Sequence, residues 1–163
     1  MKCLASLAIF VSIVAFAEEP KNLLKPVNKT ESWRLEEHEG GKGTLKVDGN
    51  AVVMSSTKVT GTDWHVQAVM TGLDLKEGQE YVLKFKAKAE GTNYIGVSMG
   101  IDEEDWHQIG LGEQMVVITK TPKEHEFRFR AESVNTKQKN RLTIALGSEI
   151  CQITLTDLTL TVK

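Results

Sequence analysis

The sequence has few of the residues that cross-link or stiffen small folds. It contains only 2 cysteines and 3 prolines in 163 residues, and aromatic residues make up 6% of the chain. Cys3 lies in the N-terminal leader described below, so Cys151 is the one cysteine of the mature chain and an intrachain disulfide is excluded. The fold must therefore be held by an apolar core, in which Cys151 is expected to be a small buried residue.

The chain also lacks long apolar runs, apart from one at its N-terminus. Lys2 precedes an apolar stretch from Leu4 to Phe16, and Ala15-Phe16-Ala17 forms a small-x-small cleavage site. Together these features predict a signal peptide over residues 1–17. The run is shorter than the roughly 20 residues that cross a bilayer, so no membrane insertion is expected. We predict that residues 18–163 form a single domain, secreted or periplasmic after cleavage.

The chain also lacks a large excess of charge of either sign. The net charge is −2, and the basic residues are spread along the chain instead of forming a block. This pattern excludes the basic surface expected of a nucleic-acid-binding protein. DNA, RNA and anionic membranes are therefore not expected partners, and we expect a monomer.

Motifs for catalysis are absent from the sequence. The chain has no Gly-x-Ser-x-Gly elbow and no phosphate-binding glycine loop. Its four histidines show no zinc-ligand spacing: His38, His65, His107 and His125. The acidic run Asp102-Glu103-Glu104-Asp105 is typical of a solvated turn, whereas a glycosidase needs two facing carboxylates. We predict that the protein is not an enzyme; a small hydrolase, with His65 and His107 converging, is the minor alternative.

What the sequence does have is alternation of apolar and polar residues. Nearly every segment repeats with a period of two residues, and none shows a sustained helical period. The clearest apolar sets are Tyr81, Leu83, Phe85, Ala87 and Ala89; Ile95, Val97 and Met99; Phe127, Phe129 and Ala131; and Leu142, Ile144 and Leu146. Turn residues separate these sets at short spacings. We predict an all-β fold, an antiparallel sandwich of two sheets with about ten strands.

The C-terminal segment changes its parity. Its apolar residues occupy odd positions up to Leu155 and even positions from Leu158 onward. A shift of one residue turns every later side chain to the opposite face of a strand. We therefore predict a β-bulge or bend at Thr156-Asp157.

Two predicted strands carry aromatic, small and amide residues on their outward sides. If Ile95, Val97 and Met99 face the core, the outward residues of that strand are Tyr94, Gly96 and Ser98. In the next strand the corresponding outward residues are Trp106, Gln108 and Gly110. Small residues leave room for a ligand, aromatic rings offer an apolar face to a sugar, and amides hydrogen-bond hydroxyl groups. These are the parts of a glycan-binding groove.

The segment around Trp64 gives two interpretations. Strict alternation with Val66 places Trp64 in the core, whereas its position just after Thr60-Gly61-Thr62-Asp63 places it at the mouth of a strand, where it could bind a ligand. Gln67 is a polar residue in mid-strand on the side opposite Val66, where it is either a ligand-binding amide or an ordinary solvent-exposed residue. His65 shares the side of Gln67. Trp33 is expected to be a core or edge residue.

The order of these features resembles the β-sandwich carbohydrate-binding modules of families 4, 9, 16 and 22. The matching segments are Asn22-Leu23-Leu24, Trp33, Trp64-His65-Val66-Gln67, the strand pair from Leu73 to Ala89, Phe127-x-Phe129, Leu142-x-Ile144-x-Leu146-Gly147, and Ile153 to Leu160. The resemblance covers essentially the whole mature chain. It implies a jelly-roll, galactose-binding-like sandwich that binds a β-glucan or xylan-like chain in a groove without catalysis.

The resemblance also implies roles for individual residues. Trp64, Gln67 and Trp106 match positions that contact sugar in such modules, and we include His65, Tyr94 and Gln108 as further candidates. No cofactor is required, but a structural calcium ion is possible, with Asp157 as one ligand. The acidic N-terminal ligand of that site has no counterpart here, so Glu31 or main-chain carbonyl groups would have to replace it.

A third interpretation is a sandwich that has lost sugar binding. Its exposed aromatic residues would then contact a protein partner or join a surface assembly. Asn28-Lys29-Thr30 is a glycosylation sequon, which has meaning only if the source is eukaryotic.

Overall fold

The computed structural model describes residues 20–91, 93–103 and 105–163. The predicted signal peptide, residues 1–17, lies outside the described residues. Within the described ranges, no helix has the length and apolar character needed to span a membrane. The regular elements there are ten strands and two single-turn 3₁₀ helices, Thr30–Ser32 and Asp63–His65.

The strands are β1 (Arg34–Glu37), β2 (Lys42–Asp48), β3 (Ala51–Lys58), β4 (Val66–Leu73), β5 (Glu80–Ala89), β6 (Asn93–Ile101), β7 (Gln114–Ile118), β8 (Lys123–Arg130), β9 (Asn140–Ala145) and β10 (Cys151–Val162). They form two five-stranded sheets. The front sheet has the order β1-β4-β9-β6-β7, and the back sheet has the order β2-β3-β10-β5-β8. All strand pairs are antiparallel, so the predicted two-sheet sandwich is confirmed.

The alternation of apolar residues places the core between the two sheets, as predicted. The apolar sets of β5, β6 and β9 are buried in one cluster. In β8, Phe129 is buried but Phe127 is only partly buried, because β8 is an edge strand with a neighbour on one side only. Trp33 belongs to the core, where its indole Nε1–H donates to the carbonyl oxygen of Val27 at 3.1 Å.

The predicted irregularity in β10 is confirmed. The pairing of β10 with β5 shifts register between Thr156 and Thr159. Asp157 lies within this bulge and has a φ of 53°, in the left-handed region. After the shift, Leu158 and Leu160 are buried, so the even-numbered residues face the core from this point onward.

The outer face of the front sheet positions the candidate site. Residues directly opposite each other on neighbouring strands share a face of the sheet. Cross-strand pairing therefore forms a row across this face from Glu36 through Gln67, Ala145 and Gly96 to Met115. Two members of the row, Ala145 and Gly96, are small, so side chains from neighbouring segments can lie close to the middle of the sheet.

Candidate functional site

A cavity of about 460 Å³ opens on the outer face of the front sheet. It is lined by residues from β1, β4 and β9 and from three segments outside the strands, namely the loop after β1, the 3₁₀ turn before β4 and the connection from β6 to β7: Glu36, His38, Trp64, Gln67, Trp106 and Arg141. These residues are far apart in the sequence and are brought together by the pairing of β1, β4 and β9. The cavity thus combines two indole rings with a polar floor.

Trp64 lies at the mouth of β4, not in the core. The 3₁₀ turn Asp63–His65 precedes the strand, so alternation does not yet apply, and the Trp64 side chain is 49% exposed. Asp63 Oδ1 accepts a hydrogen bond from the Trp64 backbone N–H at 2.8 Å. An ideal Cβ at Gly147 would lie 2.6 Å from the carbonyl oxygen of Asp63, so a glycine two residues after β9 allows this turn to pack closely.

Trp106 faces the cavity from the segment between β6 and β7. Its side chain is 54% exposed, and its φ of 48° lies in the left-handed region, which is rare for a tryptophan. The Arg141 guanidinium carbon lies 4.9 Å from the centre of the indole ring, a distance typical of a cation–π contact. A non-glycine residue in this conformation persists only when its surroundings hold it.

Gln67 forms part of the floor of the cavity. It is on the outer face, as predicted, but it is only 5% exposed, because the side chains of the cavity walls cover it. Its Nε2 group donates to Glu36 Oε2 at 2.9 Å. The expectation of ordinary solvent exposure for Gln67 is therefore wrong, and the amide is oriented by a carboxylate.

Glu36 is the centre of a charged network beneath the two tryptophans. Arg34 Nε donates to Glu36 Oε1 at 2.8 Å, and Arg34 Nη2 lies 2.6 Å from Asp102 Oδ1. Arg141 Nη1 approaches Glu36 Oε2 at 3.4 Å and Asp102 Oδ1 at 3.6 Å. The hydrogen bond from Arg34 lowers the pKa of Asp102. Two carboxylates and two guanidinium groups cancel, so the network has no net charge.

Sequence reasoning missed three residues of the cavity. Glu36 alternates with Leu35, and Arg141 alternates with Leu142, so the same parity argument would have placed both on the outer face. His38 follows β1 outside any alternating pattern and gives no such signal. Its Nε2 lies 3.7 Å from Glu36 Oε2.

Three predicted residues do not line the cavity. His65 is half-buried, and its Nδ1 contacts Thr60 Oγ1 at 2.5 Å. Tyr94 is exposed on the outer face of β6, opposite Val117, and Gln108 is exposed at a bridge to Gly100. The structure therefore brings together Trp64, Gln67 and Trp106, whereas it leaves these three outside.

Two carboxyl groups meet above Gly96. Hydrogen bonding to Asp63 raises the pKa of Glu113 to about 7, because a shared proton relieves the repulsion between the two groups. An ideal Cβ at Gly96 would lie 2.6 Å from Glu113 Oε1 and 3.4 Å from Asp63 Oδ2. The missing side chain at Gly96 thus allows the pair to lie against the sheet, beside the turn that carries Trp64.

Asp157, the predicted calcium ligand, lies on the outer face of the back sheet. Its Oδ2 is 2.9 Å from the Lys86 ammonium, and its side chain is exposed. Calcium needs several oxygen ligands, and the described residues contain no group of three or more acidic, histidine or cysteine side chains that could hold a metal ion. The side chains around Asp157 therefore do not form a calcium site on their own. Calcium binding at Asp157 stays an untested prediction.

Each described carboxylate of the acidic run before Trp106 is bound by a basic side chain, and Glu103 pairs with Lys139. Asp102 binds Arg34, whereas Asp105 binds His107, whose hydrogen bond lowers the pKa of Asp105. Neither carboxyl group is suited to donate a proton near neutral pH. Among the hydrogen bonds of the described residues, none joins His65 to His107.

Comparison with protein families identifies the relatives of this chain. A family model described as a carbohydrate-binding domain, of the CBM4 and CBM9 type, matches residues 18–151. The chain belongs to this carbohydrate-binding domain family. Modules of the family bind carbohydrate without catalysis. Comparison with curated protein sequences gave no match.

Solved structures of carbohydrate-binding modules share the fold. A CBM4 module superposes with a TM-score of 0.73 at 19% identity, covering 90% of this chain and 96% of its own. The N-terminal cellulose-binding domain of β-1,4-glucanase C from Cellulomonas fimi has a TM-score of 0.66 at 15% identity, covering 88% and 98%. A family 11 module from Clostridium thermocellum, in complex with a β-1,3-1,4-mixed-linked tetrasaccharide, has a TM-score of 0.60 at 15% identity, covering 86% and 94%.

Proposed function

We propose that this protein binds a polysaccharide or oligosaccharide chain in the cavity of the front sheet. The observation that supports this most strongly is the position of Trp64 and Trp106. Both side chains are about half exposed, although large aromatic residues are normally well buried, and both line one cavity. They come from separate segments, so their shared position is a product of the fold.

The chemistry of the cavity fits a sugar ring. Indole faces contact the C–H surfaces of a pyranose, and amide or charged groups hydrogen-bond its hydroxyl groups. Gln67 and Glu36 form a polar floor whose side chains are already oriented by their mutual hydrogen bond. A floor that is ordered before binding loses less conformational entropy when the ligand arrives.

The charge balance favours a neutral glycan. Glu36 and Asp102 are compensated by Arg34 and Arg141, so no unpaired cation is left in this network to attract a uronic acid. We therefore assign a β-glucan or xylan-like chain as the ligand class. The cellulose-binding domain and the tetrasaccharide complex among the structural neighbours support the same class. The predicted signal peptide over residues 1–17 supports secretion, so the ligand would be met outside the cytoplasm.

Affinity electrophoresis through gels that contain a soluble β-glucan or xylan tests this function. We expect the protein to be retarded by at least one of these polysaccharides. Trp64→Ala and Trp106→Ala should each weaken binding about tenfold or more, since each loses an aromatic contact and its buried apolar area. Gln67→Ala should weaken binding less.

Lys84→Ala is the matched control, because Lys84 lies on the outer face of the back sheet, where it pairs with Glu126. It should bind as tightly as the wild-type protein. Circular dichroism verifies that each variant is folded. Unretarded migration of the folded wild-type protein in every gel would contradict the proposal, as would equal losses in Lys84→Ala and Trp106→Ala.

A protein-interaction role has one observation in its favour. The edge strand β7 exposes Met115 and Val117 beside Tyr94, which forms an apolar strip outside the cavity. If this strip were the functional surface, Met115→Lys would abolish binding to a protein partner. The retardation of the variant in glycan-containing gels would be unchanged. Binding of glycan lost in Trp106→Ala but kept in Met115→Lys separates the two functions.

A further inference from the structure

Asp105 and His107 lie on either side of Trp106 and contact each other through their side chains. His107 also contacts a second segment, around Ser133. His107 Nδ1 lies 2.9 Å from Asp105 Oδ1 and 3.0 Å from Asp105 Oδ2. His107 Nε2 lies 2.7 Å from the carbonyl oxygen of Ser133. A carbonyl oxygen can only accept a hydrogen bond, and so can an ionised carboxylate. Both ring nitrogens must therefore donate at the same time, which only the protonated imidazolium can do.

The second segment is itself anchored. Glu77 accepts hydrogen bonds from the backbone N–H of Ser133 at 3.1 Å and of Val134 at 3.0 Å. The Ser133 carbonyl therefore offers His107 a fixed acceptor. The ion pair between Glu103 and Lys139, together with a bond from Asn135 Nδ2 to Glu103 Oε2 at 3.0 Å, joins the same two segments near the start of the turn.

The turn that His107 closes carries backbone strain. Trp106 has a φ of 48° and Ser133 a φ of 57°, so a non-glycine residue lies in the left-handed region on each side of the connection. A non-glycine residue in this region is strained and persists only when contacts with its surroundings offset the strain. The two hydrogen bonds of His107 supply such a restraint directly next to Trp106.

We propose that His107 is a positioning residue, which in its protonated form clamps the Trp106 turn to the Ser133 segment and so orients the indole ring at the cavity. The consequence for glycan affinity rests on the proposed function, whereas the clamp itself does not. His107 does not line the cavity, so any effect on the ligand must pass through Trp106.

The electrostatics agree with the geometry. The bond to Ser133, the bond to Asp105 and the negative charge of Glu103 raise the pKa of His107. A histidine whose folded-state pKa is raised contributes its full stabilisation below the ordinary histidine pKa and loses it as the pH rises through the raised value. The clamp should therefore be closed in mildly acidic solution and open in alkaline solution.

The indole Nε1–H resonance of Trp106, identified by its loss in Trp106→Phe, reports the clamp in the free protein. Between about pH 5.5 and about pH 8.5 it should titrate together with the imidazole signals of His107. His107→Gln should leave the Trp106 resonance flat over this range. Asp105→Asn keeps an acceptor oxygen but removes the charge, so the midpoint should move to lower pH.

Glycan affinity is the second readout. We expect about fivefold weaker binding at the alkaline end of the range, which corresponds to about 1 kcal/mol. His107→Gln lacks the clamp, so its glycan affinity should change little between the acidic and alkaline ends of this range. His38→Gln and Glu113→Gln are the matched controls, because His38 lines the cavity and Glu113 lies beside Asp63 of the Trp64 turn. Both variants should keep the titration of the Trp106 resonance.

The outcomes are distinguishable. A Trp106 resonance that does not titrate in the wild-type protein overturns the clamp, and so does an unchanged titration in His107→Gln. If no glycan binds but the Trp106 resonance titrates as described, the clamp stands and the proposed function fails. If glycan binds with an affinity that does not follow the Trp106 titration, His107 does not position the ligand platform.

Discussion

The outer faces of the two sheets differ, although the same alternation of residues produces both. The back sheet presents exposed ion pairs, such as Lys84 with Glu126 at 2.7 Å and Lys86 with Asp157 at 2.9 Å. The front sheet presents two half-exposed tryptophans above a covered amide and a charged network. One face is ordinary solvated surface, and the other encloses a cavity.

The two faces differ in the burial of one ion pair, Glu36 with Arg141, whereas Arg34 and Lys84 are similarly exposed, at 47% and 44%. Both faces contain a glutamate bound by two cationic side chains: Glu126 by Lys84 and Arg128, and Glu36 by Arg34 and Arg141. The side chains of Glu36 and Arg141 are only 14% and 12% exposed, whereas Glu126 is 30% and Arg128 64% exposed. Ion pairs shielded from water are costly to break, whereas exposed pairs contribute little.

The largest expected effect is on stability at Glu36. Glu36→Ala removes the common partner of both arginines and of Gln67. The covered Gln67 amide then has no carboxylate partner, and the covered Arg141 keeps only its 3.6 Å approach to Asp102. We expect a loss of about 3 kcal/mol in the free energy of unfolding, measured by urea denaturation. Glu126→Ala is the matched change on the back sheet and should cost far less. Equal losses in the two variants would show that the front network is no more shielded than the back one.

The second effect is a pH dependence of opposite sign on the two faces. The pKa of Glu113 is raised to about 7, so its protonated form is favoured by folding and its contribution to stability falls as the pH rises from the ordinary glutamate range towards 7. Lys84 and Arg128 lower the pKa of Glu126, so its contribution is present above the ordinary range and is lost as the pH falls.

Urea denaturation across pH tests both signs. Relative to Glu113→Gln, the wild-type protein should lose about 1 kcal/mol between pH 4.5 and about 7, a figure reduced for the solvent exposure of Glu113. Relative to Glu126→Gln, the wild-type protein should lose stability in the acidic direction. A Glu113→Gln variant with the same pH profile as the wild-type protein would contradict the shared proton.

The third effect, no larger than the second, concerns the bulge in the back sheet. Asp157 has a φ of 53°, which glycine adopts freely and alanine does not. Asp157→Gly should therefore be about 1 kcal/mol more stable than Asp157→Ala, although both lose the pair with Lys86. Thermal unfolding measures the difference, and glycan affinity should be unchanged in both. A calcium-dependent rise in Tm that Asp157→Ala removes would show that the carboxylate serves calcium instead of Lys86.

Much of the fold could be predicted from sequence periodicity. The cores of β5, β6 and β9 and the bulge at Thr156-Asp157 follow from a period of two residues, because burial between two sheets acts on every second side chain. The same argument placed Gln67 on the outer face. Phe127 shows the limit of the periodicity argument, since the edge strand β8 lacks the neighbouring strand that would complete the burial of this side chain.

The site was less predictable, because it depends on which strands become neighbours. Trp64 could not be placed by parity, since it lies in the 3₁₀ turn Asp63–His65, which precedes β4. The network of Glu36 and Arg141 arises only because β1 and β9 both flank β4. No single strand carries a signal for this arrangement, nor for the contact between Arg141 and Trp106.

A titration of the ¹⁵N-labelled protein with soluble β-glucan and xylan oligosaccharides, followed through its three indole Nε1–H resonances, tests the central claim most directly. Trp33 is an internal reference, because its Nε1–H donates to Val27 in the core at 3.1 Å. We predict that the resonances of Trp64 and Trp106 shift together to saturation while that of Trp33 stays in place. Shifts confined to amides of the back sheet, or three unmoved indole resonances with every oligosaccharide, would contradict a glycan site on the front sheet.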